Sequence, residues 1–261
     1  MKNVILGAAG GYSKDQLANF IISLRKFYDD DVYLITEKET SGDLKKFFLE
    51  NKINIIITKF NRKILYKKRY EIYLDFLKKK NYEYIFISYT RDVIFQKSPF
   101  DNVNLTKLIF FLEDKKIGDC KHNSRWIKKL YSDKVLEKIK NKNISCSGTT
   151  IGEYNYMKKY LELMVKEINS TKYFSLLNSK GTDQGNHNYI VHNNFLLEST
   201  LLENRDGYVA TLANSEPNNF IYDGFLKTLK GKQYNVVHQY DRFCNKSEKL
   251  NYFFNNYLKN L

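Results

Sequence analysis

Short apolar runs alternate with amphipathic segments through residues 1–100 of the chain. The runs at 4–6, 32–35, 53–57 and 84–87 are bounded by polar residues and have the length of buried strands. Between them, apolar residues recur at helical spacing within 44–49, within 63–80 and at Leu17, Phe20, Ile21, Leu24 and Phe27. Because strands that alternate with helices form parallel sheets, this pattern predicts an α/β fold with a mixed, mostly parallel central sheet flanked by helices.

The second half of the chain is less regular. Its pattern predicts a strand at 108–112, a helix at 156–168, a helix that begins near Thr182 and a short strand at 235–237. No repeat or Pro-rich linker divides the chain, so we expect one domain over 1–261. Residues 1–100 would form its nucleotide-binding half, and 101–261 would form irregular loops that build a site. The segment 247–261 predicts an amphipathic helix, which we expect to pack on the body rather than lie in a membrane interface.

Composition narrows the class of protein. Apolar residues make up 43% and aromatic residues 15% of the chain, which excludes a disordered protein. The 43 Lys and Arg against 29 Asp and Glu give a net charge of +14, so anions are the expected partners, although the charge could equally serve solubility. The three cysteines lack C-x-x-C spacing, and no apolar stretch approaches the length of a signal peptide or a membrane span. These features predict a cytoplasmic protein.

Glycines follow the first predicted strand. The segment between that strand and the first predicted helix contains Gly7, Ala8, Gly10, Gly11 and Tyr12. Glycines let the backbone approach a phosphate closely, and a helix N-terminus offers amides to an anion. The spacing matches neither the dinucleotide-binding motif nor the P-loop, so a turn without a ligand fits as well.

An acidic and a basic residue follow the fourth predicted strand. Ligands of open α/β sheets bind beyond the carboxyl ends of the strands, where Arg91 and Asp92 lie. Asp92 could bind Mg²⁺ or Mn²⁺ and Arg91 a phosphate, or the two could form a structural ion pair. His238 follows the strand at 235–237 and could complete a metal site, or it could be a core histidine.

Three further segments offer polar groups for a sugar. Asp183 and Gln184 open a predicted helix, where a carboxylate is favoured by the helix dipole and could also act only as a cap. The segment 147–152, read as a turn, offers backbone amides and hydroxyls. Trp126 could provide a ring face for a pyranose or belong to the core.

Together these segments resemble the GT-A glycosyltransferases, most closely the retaining enzymes of family eight. The resemblance covers most of the chain and rests on motifs in one order: the opening strand with its glycine loop, Arg91-Asp92-Val93 followed by Phe95-Gln96 and Pro99-Phe100, Glu113 with Asn123 and Trp126, Ser147-Gly148-Thr149-Thr150-x-Gly152, Asp183-Gln184-Gly185-x-x-Asn188, and Val237-His238-Gln239-Tyr240-Asp241-Arg242. One position departs from the family pattern, because Tyr89 stands where the family has the first Asp of its acidic motif.

The resemblance implies a single GT-A domain with a Rossmann-like sheet. It implies transfer of a hexosyl group from a nucleotide diphosphate sugar, with UDP expected, to a hydroxyl of a glycan or glycolipid in polysaccharide biosynthesis. Asp92 and His238 would bind Mn²⁺ or Mg²⁺, Asp183 would bind sugar hydroxyls and Gln184 would face the anomeric carbon. The other implied roles are donor binding by Gly7, Ala8, Gly10, Gly11, Tyr12, Arg91, Ser147, Gly148 and Thr149, and acceptor binding or support by Trp126, Asn123, Asn188, Gln239, Asp241 and Arg242.

Other functions remain open at this point. An inverting enzyme could use Asp183 as a base. A basic module could bind nucleic acid or an anionic membrane, although the lysines are spread over every segment instead of one patch, so we expect no nucleic acid. A degenerate transferase could bind a nucleotide without turnover, as Tyr89 suggests. Peripheral contact with the inner face of a membrane is compatible with a glycolipid acceptor.

Overall fold

The computed structural model describes residues 2–38, 40–60, 62–101, 107–170, 181–196, 198–244 and 246–260. A seven-stranded sheet with the order β3-β2-β1-β4-β7-β6-β8 forms its centre. Its strands are β1 (Val4–Ala8), β2 (Asp31–Glu37), β3 (Asn54–Thr58), β4 (Tyr84–Ser88), β6 (Leu108–Lys116), β7 (Asn143–Glu153) and β8 (Ser199–Leu202). The first four strands are parallel, as the sequence predicts.

The strand β7 corrects one sequence-based expectation. The segment 147–152 is not a turn but the interior of this eleven-residue strand, which runs antiparallel between β4 and β6. Its small polar residues are buried. Because they lack the apolar pattern that is typical of a buried strand, the sequence does not reveal this strand. The sheet is therefore mixed: β4-β7 and β6-β7 are antiparallel, and β6-β8 is parallel.

Helices cover both faces of the sheet. They are α1 (Lys14–Arg25), α2 (Gly42–Glu50), α3 (Arg62–Leu77), α4 (Lys121–Leu130), α5 (Asp133–Ile139), α6 (Tyr154–Ser170), α7 (Thr182–His192), α8 (Tyr240–Cys244) and α9 (Glu248–Lys259). Ile5 and Phe86 pack with α1 and α2 on one face. Leu6 and Ile85 pack with α3 and α6 on the other, as expected when successive side chains of a strand alternate.

A second, three-stranded sheet lies beside the first. It has the order β5-β12-β9, formed by β5 (Val93–Phe95), β12 (Val236–His238) and β9 (Val209–Thr211). The hairpin of β10 (Phe220–Asp223) and β11 (Phe225–Thr228) packs nearby with α9. Leu250 and Phe254 of α9 are buried, so the predicted amphipathic helix lies on the body. Within the described ranges, no helix is both long enough and apolar enough to cross a bilayer.

Asn188 joins α7 to β7. Its amide donates to the carbonyl of Ser145 at 2.9 Å and to that of Gln184 at 2.8 Å, and its Oδ1 accepts from the Ser145 amide at 2.9 Å. The residue is completely buried. Asn188 therefore holds the start of α7 against strand β7 of the central sheet.

We expect Asn188→Ala to lower the free energy of unfolding by about 2 kcal/mol, because it leaves buried backbone groups without partners. Urea unfolding followed by circular dichroism measures the loss. Asn193→Ala is the matched control, since the Asn193 side chain donates one hydrogen bond, to the Tyr189 carbonyl, near the end of α7 and is partly exposed. Equal losses in the two variants would contradict this role for Asn188.

Candidate functional site

A cleft of about 610 Å³ opens beyond the carboxyl ends of β1 and β4. This is the switch point of the sheet, because β2 and β3 extend to one side of β1 and β4 lies on the other. Thr90 Oγ1 donates to the Ala8 carbonyl at 2.7 Å and ties the two strand ends together. The lining residues are Ala8, Gly10, Tyr12, Arg62, Lys63, Leu65, Tyr66, Arg69, Tyr89, Thr90, Arg91, Asp92, Gly181, Asp183 and Arg242.

The structure brings Asp92 and His238 together. In the antiparallel pairing of β5 with β12, His238 lies opposite Val93, and the Gln239 amide donates to the Asp92 carbonyl at 2.7 Å. As a result, His238 Nε2 lies 3.8 Å from Asp92 Oδ1. Gln239 adopts a positive φ of 62° where the chain leaves β12.

His238 is fully buried, and neither ring nitrogen has a hydrogen-bond partner among the described residues. Burial lowers the pKa of His238 to about 4, so its imidazole is neutral near pH 7. Gly148 makes room for this ring, since a Cβ there would lie 2.7 Å from His238 Nε2. Tyr89 packs edge-on against the imidazole with ring centroids 5.8 Å apart.

A neutral imidazole and a carboxylate that face each other fit a divalent cation, and the unpartnered ring nitrogens of His238 point to a missing ligand. The donor set is small, however. The described part of the chain has no group of three or more His, Cys, Asp or Glu arranged to hold a metal. Asp92 and His238 are thus two candidate ligands, and Tyr89, which packs against His238, carries no carboxylate.

Asp183 forms a buried ion pair that the sequence analysis missed. Arg69 Nη2 lies 2.9 Å from Asp183 Oδ2, and the same nitrogen donates to the Ser147 carbonyl at 3.0 Å and to Tyr70 Oη at 2.6 Å. The Arg69 guanidinium also lies 4.5 Å from the centroid of the Tyr89 ring. The helix α3 thereby reaches β7 and α7 through one side chain.

Burial has the largest effect on the pKa of the Asp183 carboxyl in this pair. Burial raises the pKa of Asp183 above its ordinary value, and the Arg69 charge opposes that rise. Asp183 Oδ1 has no hydrogen-bond partner within the described residues, and Asp183 lines the cleft. One carboxylate oxygen is thus fixed by Arg69, and the other is buried without a hydrogen-bond partner among the described residues.

A pattern in the sequence could have identified Arg69. Leu65, Arg69, Tyr73 and Leu77 recur at intervals of four on one face of α3, and all four are buried. A single arginine in such an apolar row indicates a buried charge with a partner.

Gln184 lies behind the cleft and does not line it. Its Nε2 donates to Asn123 Oδ1 at 3.1 Å, and its Oε1 is 3.7 Å from the Cys146 thiol. Gln239 Nε2 reaches the same thiol at 3.7 Å, so Cys146 connects Gln184 with the residue that follows His238. Burial raises the pKa of Cys146 well above its ordinary value, which leaves the thiol protonated.

The remaining predicted residues fall into two groups. Ala8, Gly10, Tyr12, Arg91 and Arg242 line the cleft with Asp92 and Asp183. The second group is outside the lining and surrounds or supports it: Gly7, Gly11, Ser147, Gly148, Thr149, Trp126, Asn123, Asn188, Gln239 and Asp241.

Three of the supporting contacts shape the cleft directly. Trp126 packs against Gly181, where a Cβ would lie 2.5 Å from the Trp126 ring. Asp241 holds Arg91 through an ion pair of 2.8 Å. A Cβ on Gly7 would lie 2.5 Å from Thr90 Cγ2. These contacts place Trp126, Asp241 and Gly7 in supporting positions.

Comparison with known proteins adds nothing to this geometry: the chain matches no protein-family model, and no curated protein matches it. The α/β architecture with its mixed seven-stranded sheet is compatible with a Rossmann-like fold.

Two buried histidines of α7 predict a loss of stability in acid. His187 Nε2 lies 2.8 Å from Ser145 Oγ, and His187 Nδ1 lies 2.8 Å from Tyr160 Oη. Burial lowers the pKa of His187 from 6.5 to about 3, and burial lowers that of His192 to about 4. Below pH 6.5 the unfolded chain binds protons that the folded chain excludes, so the free energy of unfolding falls by about 1.4 kcal/mol per pH unit for each histidine.

Urea unfolding at a series of pH values measures this slope, and the imidazole proton resonances of the folded protein identify the groups. We expect the resonances of His187 and His192 not to titrate between pH 7.5 and 5.5. A midpoint near the ordinary histidine pKa for His187 would show that its ring is accessible and would contradict the prediction.

Proposed function

We propose that the protein is a glycosyltransferase that transfers a hexosyl group from a nucleotide diphosphate sugar to a hydroxyl of a glycan or glycolipid. UDP is the nucleotide that we expect. The observation that carries the proposal is that Asp92 and Asp183 line one cleft at the switch point of the sheet, with the buried His238 3.8 Å from Asp92. These residues come from segments far apart in the chain, and a core does not require them to meet.

The charge of the cleft suits a sugar nucleotide. Its lining carries five cationic side chains, Arg62, Lys63, Arg69, Arg91 and Arg242, and two carboxylates, Asp92 and Asp183. A departing nucleoside diphosphate carries negative charge that such groups stabilise. If the protein uses the Mn²⁺ or Mg²⁺ that the family resemblance implies, Asp92 and His238 would hold it, and the ion would add to this positive charge.

The ion pair of Arg69 and Asp183 suits the sugar. Sugar hydroxyls are hydrogen-bond donors, and Asp183 Oδ1 is an acceptor on a carboxylate whose other oxygen is already fixed. A transfer that passes through an oxocarbenium-like state gains from a negative charge held nearby. Retention of configuration is the stereochemistry that the family resemblance suggests, but Gln184, which the resemblance directs towards the anomeric carbon, does not line the cleft. An inverting reaction would instead use Asp183 as its base.

A nucleotide-binding protein without turnover is the second candidate. The observation that favours it is Tyr89, whose ring lies between the Arg69 guanidinium and the His238 imidazole, at the place of the first acidic residue of the family motif. Binding without hydrolysis or transfer would distinguish this candidate from an enzyme.

We expect the protein to bind at least one of UDP, GDP, ADP and CDP in calorimetric titrations and to hydrolyse a matching sugar nucleotide slowly. Asp183→Asn keeps the shape of the side chain and removes its charge, so it should leave nucleotide binding nearly unchanged and reduce hydrolysis by about 100-fold. The assay follows release of the nucleoside diphosphate and does not require the acceptor.

Asp119→Asn is the matched control, because Asp119 is exposed and does not line the cleft. It should hydrolyse the sugar nucleotide at the parent rate. Absence of binding by all four nucleotides would contradict the proposed function, and binding with no hydrolysis would favour the protein without turnover.

A further inference from the structure

The two oxygens of Asp92 face two different groups. Oδ1 lies 3.8 Å from His238 Nε2, and Oδ2 lies 3.6 Å from Arg242 Nη2. Arg242 is on α8, which begins two residues after His238, so one short segment delivers both groups to the same carboxylate. About half of the Arg242 side chain, 53%, is exposed, and Arg242 lines the cleft. Asp92 therefore already has a cationic neighbour that reaches the cleft.

The surroundings of Asp92 are unfavourable for a second cation. The Arg242 guanidinium already lies 3.6 Å from Asp92 Oδ2, so a divalent ion bound by Asp92 would lie beside an existing positive charge. Tyr89 adds no compensating negative charge, because burial raises its pKa well above neutral pH and its ring stays uncharged.

The charged side chains that line the cleft favour an anion instead. Counting only the lining residues, five cations against two carboxylates leave an excess of three positive charges. The diphosphate of a sugar nucleotide carries two negative charges. Guanidinium groups bind phosphate oxygens through two parallel hydrogen bonds, and Asp241 and Asp92 hold Arg91 and Arg242 on the same side of the cleft.

We propose that Arg242, held in place by Asp92, is the cation that neutralises the diphosphate of the donor, so that a nucleoside diphosphate binds to this cleft without a divalent metal ion. This inference rests on the proposed function and specifies how the site meets its ligand. It gives Asp92 a role that needs one carboxylate only, in agreement with Tyr89 at the neighbouring position of the motif.

Calorimetry in EDTA and in excess Mn²⁺ tests the inference, with the nucleoside diphosphate that binds most tightly among UDP, GDP, ADP and CDP as the probe. We expect the parent protein to bind in EDTA. Arg242→Gln should weaken that binding at least about tenfold, since it removes a charge-assisted hydrogen bond, and Arg242→Lys should recover part of it. Arg205→Gln is the matched control, because Arg205 is exposed and outside the cleft.

Asp92→Asn gives the sharpest contrast. If Asp92 positions Arg242, Asp92→Asn should weaken binding of the probe in EDTA by less than Arg242→Gln does, because the variant loses the ion pair that holds the guanidinium but keeps the guanidinium itself. If Asp92 is an essential metal ligand, the same variant loses binding. Thermal unfolding of each variant confirms that it is folded, and Arg242 is half exposed, so its replacement does not disturb a buried core.

The outcomes separate the two proposals. Binding in EDTA that falls at least about tenfold in Arg242→Gln and by a smaller factor in Asp92→Asn supports the inference. Binding that appears only with Mn²⁺ and disappears in Asp92→Asn overturns it and leaves the proposed function intact. Absence of binding in both conditions overturns the proposed function and this inference with it.

Discussion

The antiparallel pairing of β5 with β12 is the contact on which the cleft depends. Asp92 precedes β5 and His238 ends β12, so the register that places His238 opposite Val93 also brings these two side chains within 3.8 Å. A shift by one residue would turn the His238 side chain to the other face of the small sheet. The bond from the Gln239 amide to the Asp92 carbonyl completes this pairing, and the positive φ of Gln239 then directs Asp241 and Arg242 towards the same place.

A buried ion pair organises the opposite wall. Arg69 on α3, Ser147 on β7 and Asp183 on α7 meet through one guanidinium group. Removing two charges from water costs free energy that their attraction does not fully return, so this pair contributes more to the arrangement of the three elements than to stability. The result is a carboxylate with a fixed position, whose other oxygen has no hydrogen-bond partner among the described residues.

Particular residues show why some of the site was predictable. Asp92 and His238 follow strands with clear apolar patterns, and the rule that ligands bind beyond strand ends directs attention to both. Arg69 was missed because it lies among lysines, and only its place in the row with Leu65 and Tyr73 distinguishes it. The strand β7 was mistaken for a turn at 147–152 because small polar residues fill its buried interior, where Gly148 leaves room for the His238 ring.

The periodicity of neighbouring side chains is enough to predict the alternation of strands and helices in residues 1–100, the parallel orientation of β1 to β4 and the amphipathic helix near the end. Folding is needed to show that β7 enters the sheet antiparallel, that β5 and β12 pair in the register that joins Asp92 to His238, and that Arg69 reaches Asp183. Those contacts join distant residues: Arg69 and Asp183 are 114 positions apart, and Asp92 and His238 are 146 apart. Local pattern carries no information about such distant partners; packing and the need to satisfy buried polar groups select them.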